Sequence, residues 1–288
     1  MITASLVKEL REKTNVGMME CKKALTETNG DIDAAVKYLR ERGIMKASSK
    51  ADREATEGII AARLSEDGKS GILVEVNCET DFVSRNEGYV KFVDEIADVL
   101  AASSAKTLEE ALAVKHGDLT IEDFVKAKVL ELGENIRLRK FERFDLQDGG
   151  AIAQYIHMGG KVGVLLEVGA ANGDTATKEE FRDLVKDITL HIAAAAPKGL
   201  SRDEISADAV EAEKDIYRVQ LANEGKPAEM IEKIIMGKIG KFFSESVLLE
   251  QAFVKDPEVT IKKLVEARAK ELGDSLVVRR FVRFGLGE

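Results

Sequence analysis

The sequence predicts an α+β protein: a short all-helical module, then a core of two related halves built on antiparallel sheets, the second half carrying an inserted helical hairpin. Three observations carry this. The first 45 residues hold only apolar stripes of helical period. From Gly58 the period becomes that of strands. Two stretches of the chain then recur further on, as they would in a duplicated unit.

In the module (1–45), Leu6, Val7 and Leu10 share one helical face, and a break follows at Thr14 to Gly17. Met18, Cys21, Ala24 and Leu25 then make a second stripe that stops at Asn29-Gly30. Asp31 is a good N-cap for a third helix carrying Ile32, Ala35, Val36 and Leu39, and Gly43 is placed to end it with a positive φ. Residues 46–57 are polar, have no apolar stripe, and read as a linker.

Ile59 to Leu64, a turn at Ser65 to Ser70, and Gly71 to Val76 make a β-hairpin. A second hairpin runs from Ile152 to Val168, with Gly71 to Val76 matching Gly163 to Val168 at an offset of 92 residues. Glu131-Leu-Gly133 with Arg139, Phe141, Arg143 and Phe144 returns as Glu271-Leu-Gly273 with Arg279, Phe281, Arg283 and Phe284, at an offset of 140. Each half therefore ends in a closing strand, expected to alternate Phe inward and Arg outward. The two offsets differ by 48, so the second half (146–288) holds a segment of that size which the first (58–145) lacks. It is expected at about 206–250, as helices over Val210–Asn223 and Ala228–Phe242 joined by Glu224-Gly225-Lys226-Pro227. A hairpin of that kind reaches a partner or a second copy, so self-association through it is one expectation.

Composition narrows the function. Lys and Arg number 43 against 52 Asp and Glu, a net charge of −9 that argues against direct nucleic-acid binding and against an anionic membrane surface. There is no run of 18 apolar residues, and the first ten residues are too charged for a signal peptide, so a cytoplasmic address is expected. Cys21 and Cys78 read as reduced thiols.

Catalytic signatures are missing where they would be sought. Gly68-Lys69-Ser70 has the tail of a phosphate loop, but Arg63 stands where the spacing needs Gly, and Gly160-Lys161 fails in the same way at Tyr155. His116, His157 and His191 form no ligand pair, and no nucleophile elbow occurs, so neither a metal, a cofactor nor a catalytic residue is expected. The informative stretch is Glu75 to Arg85. Strand character ends near Asn77, Ser84 and Glu87 make a Ser-x-x-Glu capping box, and Tyr89, Phe92, Val93, Ile96 and Leu100 form a helical stripe. Thr80, Asp81, Phe82 and Val83 thus sit on a strand-to-helix corner. Phe82 has two readings there: a staple folded onto its own helix with Asp81 capping the turn, or an anchor for a partner's pocket with Asp81 beside it.

Leu10-Arg11-Glu-Lys-Thr14 followed by Gly17-Met-Met-Glu-Cys-Lys-Lys-Ala-Leu25, together with Glu75 to Arg85, resembles the two signatures of the bacterial elongation factor Ts family, the guanine-nucleotide exchange factors of elongation factor Tu. The likeness extends from Ile2 to Gly287. It implies a three-helix module of the ubiquitin-associated type and a partner, elongation factor Tu, engaged both GDP-bound and nucleotide-free. It further implies that the Thr80 to Val83 corner enters near that partner's magnesium and nucleotide, and that Arg11, Met18, Met19 and Lys22 face a helix of its nucleotide domain. His157 falls on a family histidine held to touch the partner, although the flanking Met158-Gly-Gly-Lys161 departs from some members. Many members also continue past the final Phe-Gly-Leu-Gly-Glu with another helix, where this sequence ends, and one docking contact fewer is expected.

Overall fold

Three helices lead into the core of the computed structural model, which describes residues 2–14, 16–50 and 52–288. They are α1 (Ala4–Thr14), α2 (Met18–Glu27) and α3 (Ile32–Lys50). Val7, Leu10, Cys21, Ala24, Leu25, Ala35 and Leu39 close their common core. α3 does not stop at Gly43 as its sequence suggests. Gly43 is buried inside the helix, and the place a β-carbon would take is 3.5 Å from the Lys126 carbonyl oxygen of a core helix. A β-carbon would meet only ordinary contact there, so Gly43 is a helix-interior residue facing that core helix and does not terminate α3. The first five residues of the expected linker are therefore the last turns of α3, and Glu57 already belongs to the first strand.

The first half runs β1 (Glu57–Leu64), β2 (Ser70–Cys78), a four-residue turn of helix α4 (Asp81–Ser84), α5 (Glu87–Ala101), α6 (Leu108–Ala113), the short β3 (Lys115–His116) and β4 (Leu119–Thr120), α7 (Ile121–Leu132) and β5 (Arg137–Asp145). The second runs β6 (Gly150–His157), β7 (Val162–Ala170), a 3₁₀ turn at Gly173–Thr177, α8 (Glu179–Ala195), the hairpin α9 (Ala207–Asn223) and α10 (Ala228–Ser246), β8 (Ala252–Phe253), β9 (Asp256–Thr260), α11 (Ile261–Leu272) and β10 (Leu276–Gly285). Both main sheets are antiparallel, ordered β1-β2-β5 and β10-β7-β6. The inserted hairpin lies where the offsets placed it, with Leu221, Ile235 and Ile239 buried between its helices.

The repeat is kept down to its irregularities. β5 bulges at Arg139, between partners Glu75 and Val76, and β10 bulges at Arg279, between Glu167 and Val168. Beneath the bulges Glu75 and Glu167 are fully buried. Glu75 meets Lys140 at 2.9 Å and Arg139 at 3.5 Å, and Glu167 meets Arg280 at 2.7 Å and Arg279 at 2.9 Å. α7 and α11 both start at a Thr whose hydroxyl caps the helix and end at a left-handed Gly, Gly133 and Gly273.

The expected alternation of Phe inward and Arg outward is not what the closing strands do. Phe141 packs among helices α5 and α7, whereas Phe144, three residues on, lies in the layer between the two sheets with Phe284, Ile60, Leu73, Ile152 and Leu165. Each sheet has helices on one face and the other sheet on its opposite face, so both faces are buried and the one-sided rule does not apply. The N-cap of α5 also differs from expectation. Asn86 caps it, its side chain accepting the Gly88 amide at 2.8 Å, while the Ser84 hydroxyl donates to the Asp81 carbonyl. A break at Arg85-Asn86 therefore separates α4 from α5.

Candidate functional site

β2 delivers the chain to the corner with every residue from Gly71 to Cys78 buried. The Cys78 thiol donates to the Thr80 carbonyl at 3.2 Å, and burial pushes that thiol up to about 11, so it stays protonated. Below it the Tyr89 hydroxyl, also pushed up by burial, donates to the Val76 carbonyl at 2.8 Å and ties α5 to the strand. The corner thus sits on a rigid base.

The four sequence-predicted residues share one turn and point different ways. Thr80 is the N-cap position of α4, with extended φ and ψ, but its side chain does not cap; its hydroxyl goes to Glu134 Oε1 at 2.6 Å. The Asp81 carboxylate meets the Arg85 guanidinium at 3.0 Å, an exposed pair of the kind worth about 0–1 kcal/mol. Such a pair can be traded for a partner's charge. Val83 turns inward and packs on the first-half core. Phe82 stands 86% exposed, the most exposed of the large apolar side chains among the described residues. The staple reading therefore fails, because the break after Ser84 puts Phe82 on a turn of its own, clear of α5.

Sequence reasoning missed what holds this turn in place. Glu134 Oε2 accepts the amides of Glu79 at 3.0 Å and Thr80 at 3.1 Å. In return the Glu79 carboxylate accepts the Asn135 amide at 2.6 Å and meets Arg53 at 3.5 Å, while the Asn135 side chain donates to the Arg53 carbonyl. The hydrogen-bonded partners are 54 to 82 residues apart in sequence and show no motif.

The other candidates lie elsewhere. Met18 and Met19, 50% and 78% exposed, start α2, and Arg11 on α1 and Lys22 on α2 are also exposed. Two adjacent exposed methionines stand beside the packed Val7, Leu10, Cys21 and Leu25 of the module, and unbranched, polarizable side chains of this kind adapt to varied surfaces. His157 ends β6, its Nδ1 2.8 Å from the Tyr155 hydroxyl and its ring stacked on Tyr155, next to Met158, which is 70% exposed and left-handed at φ +50°. Gly68-Lys69-Ser70 makes the β1–β2 hairpin turn, with the Asp67 carboxylate accepting the Lys69 amide. His191 is a core histidine between Gln251 and the Val254 amide. Among the described residues no three His, Cys, Asp or Glu stand together as a metal would need, and no helix is long and apolar enough to cross a membrane. What the corner presents to solvent is an aromatic ring and, one residue before it, a carboxylate, both on one short turn.

The chain is similar to known proteins over its whole length. The family model described as Elongation factor TS matches residues 79–288, beginning at the corner. The chain is 48% identical to Elongation factor Ts of Clostridium botulinum (strain Alaska E43 / Type E3), over all of this chain and 94% of that protein. It is 46% identical to the same factor of Clostridium perfringens (strain SM101 / Type A), over all of this chain and 94% of that one. For Trichlorobacter lovleyi (strain ATCC BAA-1151 / DSM 17278 / SZ) the identity is 44%, over all of this chain and 93% of that protein. With agreement at this level from end to end, the chain belongs to the elongation factor Ts family, a family of translation elongation factors.

Proposed function

We propose that this protein is the guanine-nucleotide exchange factor of elongation factor Tu, with no bond-making chemistry of its own. It binds the GDP-bound GTPase, loosens the nucleotide by inserting the Thr80 to Val83 corner near the magnesium and nucleotide, and leaves a nucleotide-free complex that GTP then resolves. The observation that carries the reading is Phe82, a large apolar side chain held 86% exposed on a turn braced by Glu134. Arg11, Met18, Met19 and Lys22 supply docking to the nucleotide domain, and His157 a further contact.

The energies set what each part must do. By linkage, whatever factor this protein takes from the affinity for GDP, GDP takes from the affinity for this protein. A thousandfold loosening corresponds to about 4 kcal/mol. Burying one Phe supplies about 1.5–3 kcal/mol. Phe82 therefore needs help, from Asp81 disturbing the magnesium site and from the docking surfaces. The deciding measurement is stopped-flow release of fluorescent GDP from elongation factor Tu with catalytic amounts of the protein. Accelerated release is expected; an unchanged off-rate despite complex formation would make it a scaffold.

A further inference from the structure

The corner's direction is not set by its own helix. A four-residue turn has no intrinsic stability, and α4 lacks a side-chain cap because the Thr80 hydroxyl is turned away from the helix toward Glu134. Three hydrogen bonds converge on the Glu134 carboxylate, two from successive backbone amides and one from that hydroxyl. Bonds to a carboxylate are the stronger kind. Together they fix the chain at Glu79 and Thr80, the two residues immediately before Asp81 and Phe82.

We infer that Glu134 is a positioning residue for nucleotide exchange: by clamping Glu79 and Thr80 it aims Phe82 and Asp81 before the partner arrives. The inference rests on the proposed role of the corner. Its physical content is preorganisation, since a turn already ordered in the free protein loses little freedom on insertion. The molecule also contains its own control. At the matching place in the second half the Asp274 carboxylate accepts the Asn172 amide at 3.1 Å and the Ser275 amide at 2.7 Å. The Thr175 hydroxyl and these amides hold it below the usual carboxylate range. That clamp closes a corner with no aromatic residue on it.

The test compares Glu134→Ala, Glu134→Gln and Asp274→Ala in the full chain, reading the maximal GDP-release rate, the half-saturating concentration and the melting temperature. Glu134→Ala should lower the maximal rate on the order of tenfold, as misplacement of a working group does. Its half-saturating concentration should move by no more than about twofold, because docking is made elsewhere. Glu134→Gln should recover most of the rate, its amide oxygen accepting the two backbone N–H groups and its NH₂ donating to the Thr80 hydroxyl oxygen. Asp274→Ala should lower the melting temperature about as much as Glu134→Ala yet exchange like the parent. A parental maximal rate in Glu134→Ala overturns the inference, as does an equal rate loss in Asp274→Ala, which would mark the effect as general destabilisation. Should Glu134→Ala fail to fold, Thr80→Val, lacking only the clamped hydroxyl, must show the rate loss or the inference falls. A parent that does not speed GDP release overturns the proposed function itself, and this inference with it.

Discussion

The two halves of the core share a frame and differ in what they mount on it. Offsets of 92 and 140 residues superpose the hairpins β1–β2 and β6–β7, the buried Glu75 and Glu167, the bulges at Arg139 and Arg279, and the capped helices α7 and α11. At the corner, Phe82 in the first half corresponds to Asp174 in the second. On the last core helix, Leu130, buried against the N-terminal module, corresponds to the exposed Lys270. In the long helix, Val99 corresponds to the buried His191. The scaffold is thus used twice, while the projecting aromatic and the seat for the module are on the first half alone. Differences between equivalent positions say more about function here than the shared features do.

The largest effect expected concerns the shared feature. Glu167→Ala strands two guanidinium groups that are 19% and 35% exposed, and should cost about 2–4 kcal/mol in urea unfolding, somewhat below the range for a fully enclosed pair. Glu75→Ala should cost less, because only Lys140 lies within 3.0 Å of Glu75, at 2.9 Å, with Asn77 Nδ2, the Gly287 amide and Arg139 at 3.1, 3.4 and 3.5 Å, where Arg280, Arg279 and the Gln147 amide meet Glu167 at 2.7, 2.9 and 2.9 Å. Equal costs would show that the acids are interchangeable despite their different contacts.

Next in size is the pair of corners. Phe82→Ala should lower the maximal exchange rate by about ten- to a hundredfold, the equivalent of burying one Phe, with a stability change below about 1 kcal/mol as for other exposed positions. Asp174→Ala should leave exchange intact. A large fall in melting temperature for Phe82→Ala would return the residue to the core and remove the difference between the halves.

The smallest effect is one of pH. Burial lowers the His191 pKa from the ordinary imidazole value of about 6.5, while the hydrogen bond to Gln251 opposes the shift. Between the unfolded and folded values the unfolded chain binds a proton that the folded chain does not, so stability is full above about pH 6.5 and is lost as pH falls toward the folded value. The loss is at most about 1.4 kcal/mol per pH unit. Hydrogen exchange at pH 7.5 and 5.5 should show loosening around β8, β9 and α8, with the first half, where Val99 stands, less affected. His191→Gln should flatten the dependence; loosening spread evenly over both halves would assign it to other groups.

Much of this frame was legible because it is written twice. The repeats located the hairpins and the closing strands, and the mismatch between their offsets located α9 and α10 within a few residues. What was not legible depended on contacts across the fold. Gly43 looks like a helix stop until α7 is seen against it. Phe141 and Phe144, three residues apart, fall on opposite faces of their strand, and both are buried only because the second sheet covers the face away from the helices. At the corner, Asp81 and Phe82 stood out as residue types, but pattern alone could not separate a staple from an anchor, since the outcome turns on the break at Arg85-Asn86. Glu134 gave no signal, its partners being 54 and 55 positions away.

The layer between the two sheets has a mechanical consequence. A β-carbon at Gly163 would lie 2.5 Å from Ile60 Cγ2 and 2.7 Å from Leu73 Cδ1, and one at the equivalent Gly71 would lie 2.9 Å from Leu165 Cδ1, so the sheets meet with no room for a methyl group at either place. In addition, the Ile60 amide donates to the Gly160 carbonyl at 2.8 Å, pinning β1 to the turn after His157. Surfaces interdigitated this closely resist shear, because sliding would force side-chain atoms into occupied space. The core therefore behaves as one block: a load on either sheet is shared by the other through the layer of Ile60, Leu73, Ile152 and Leu165.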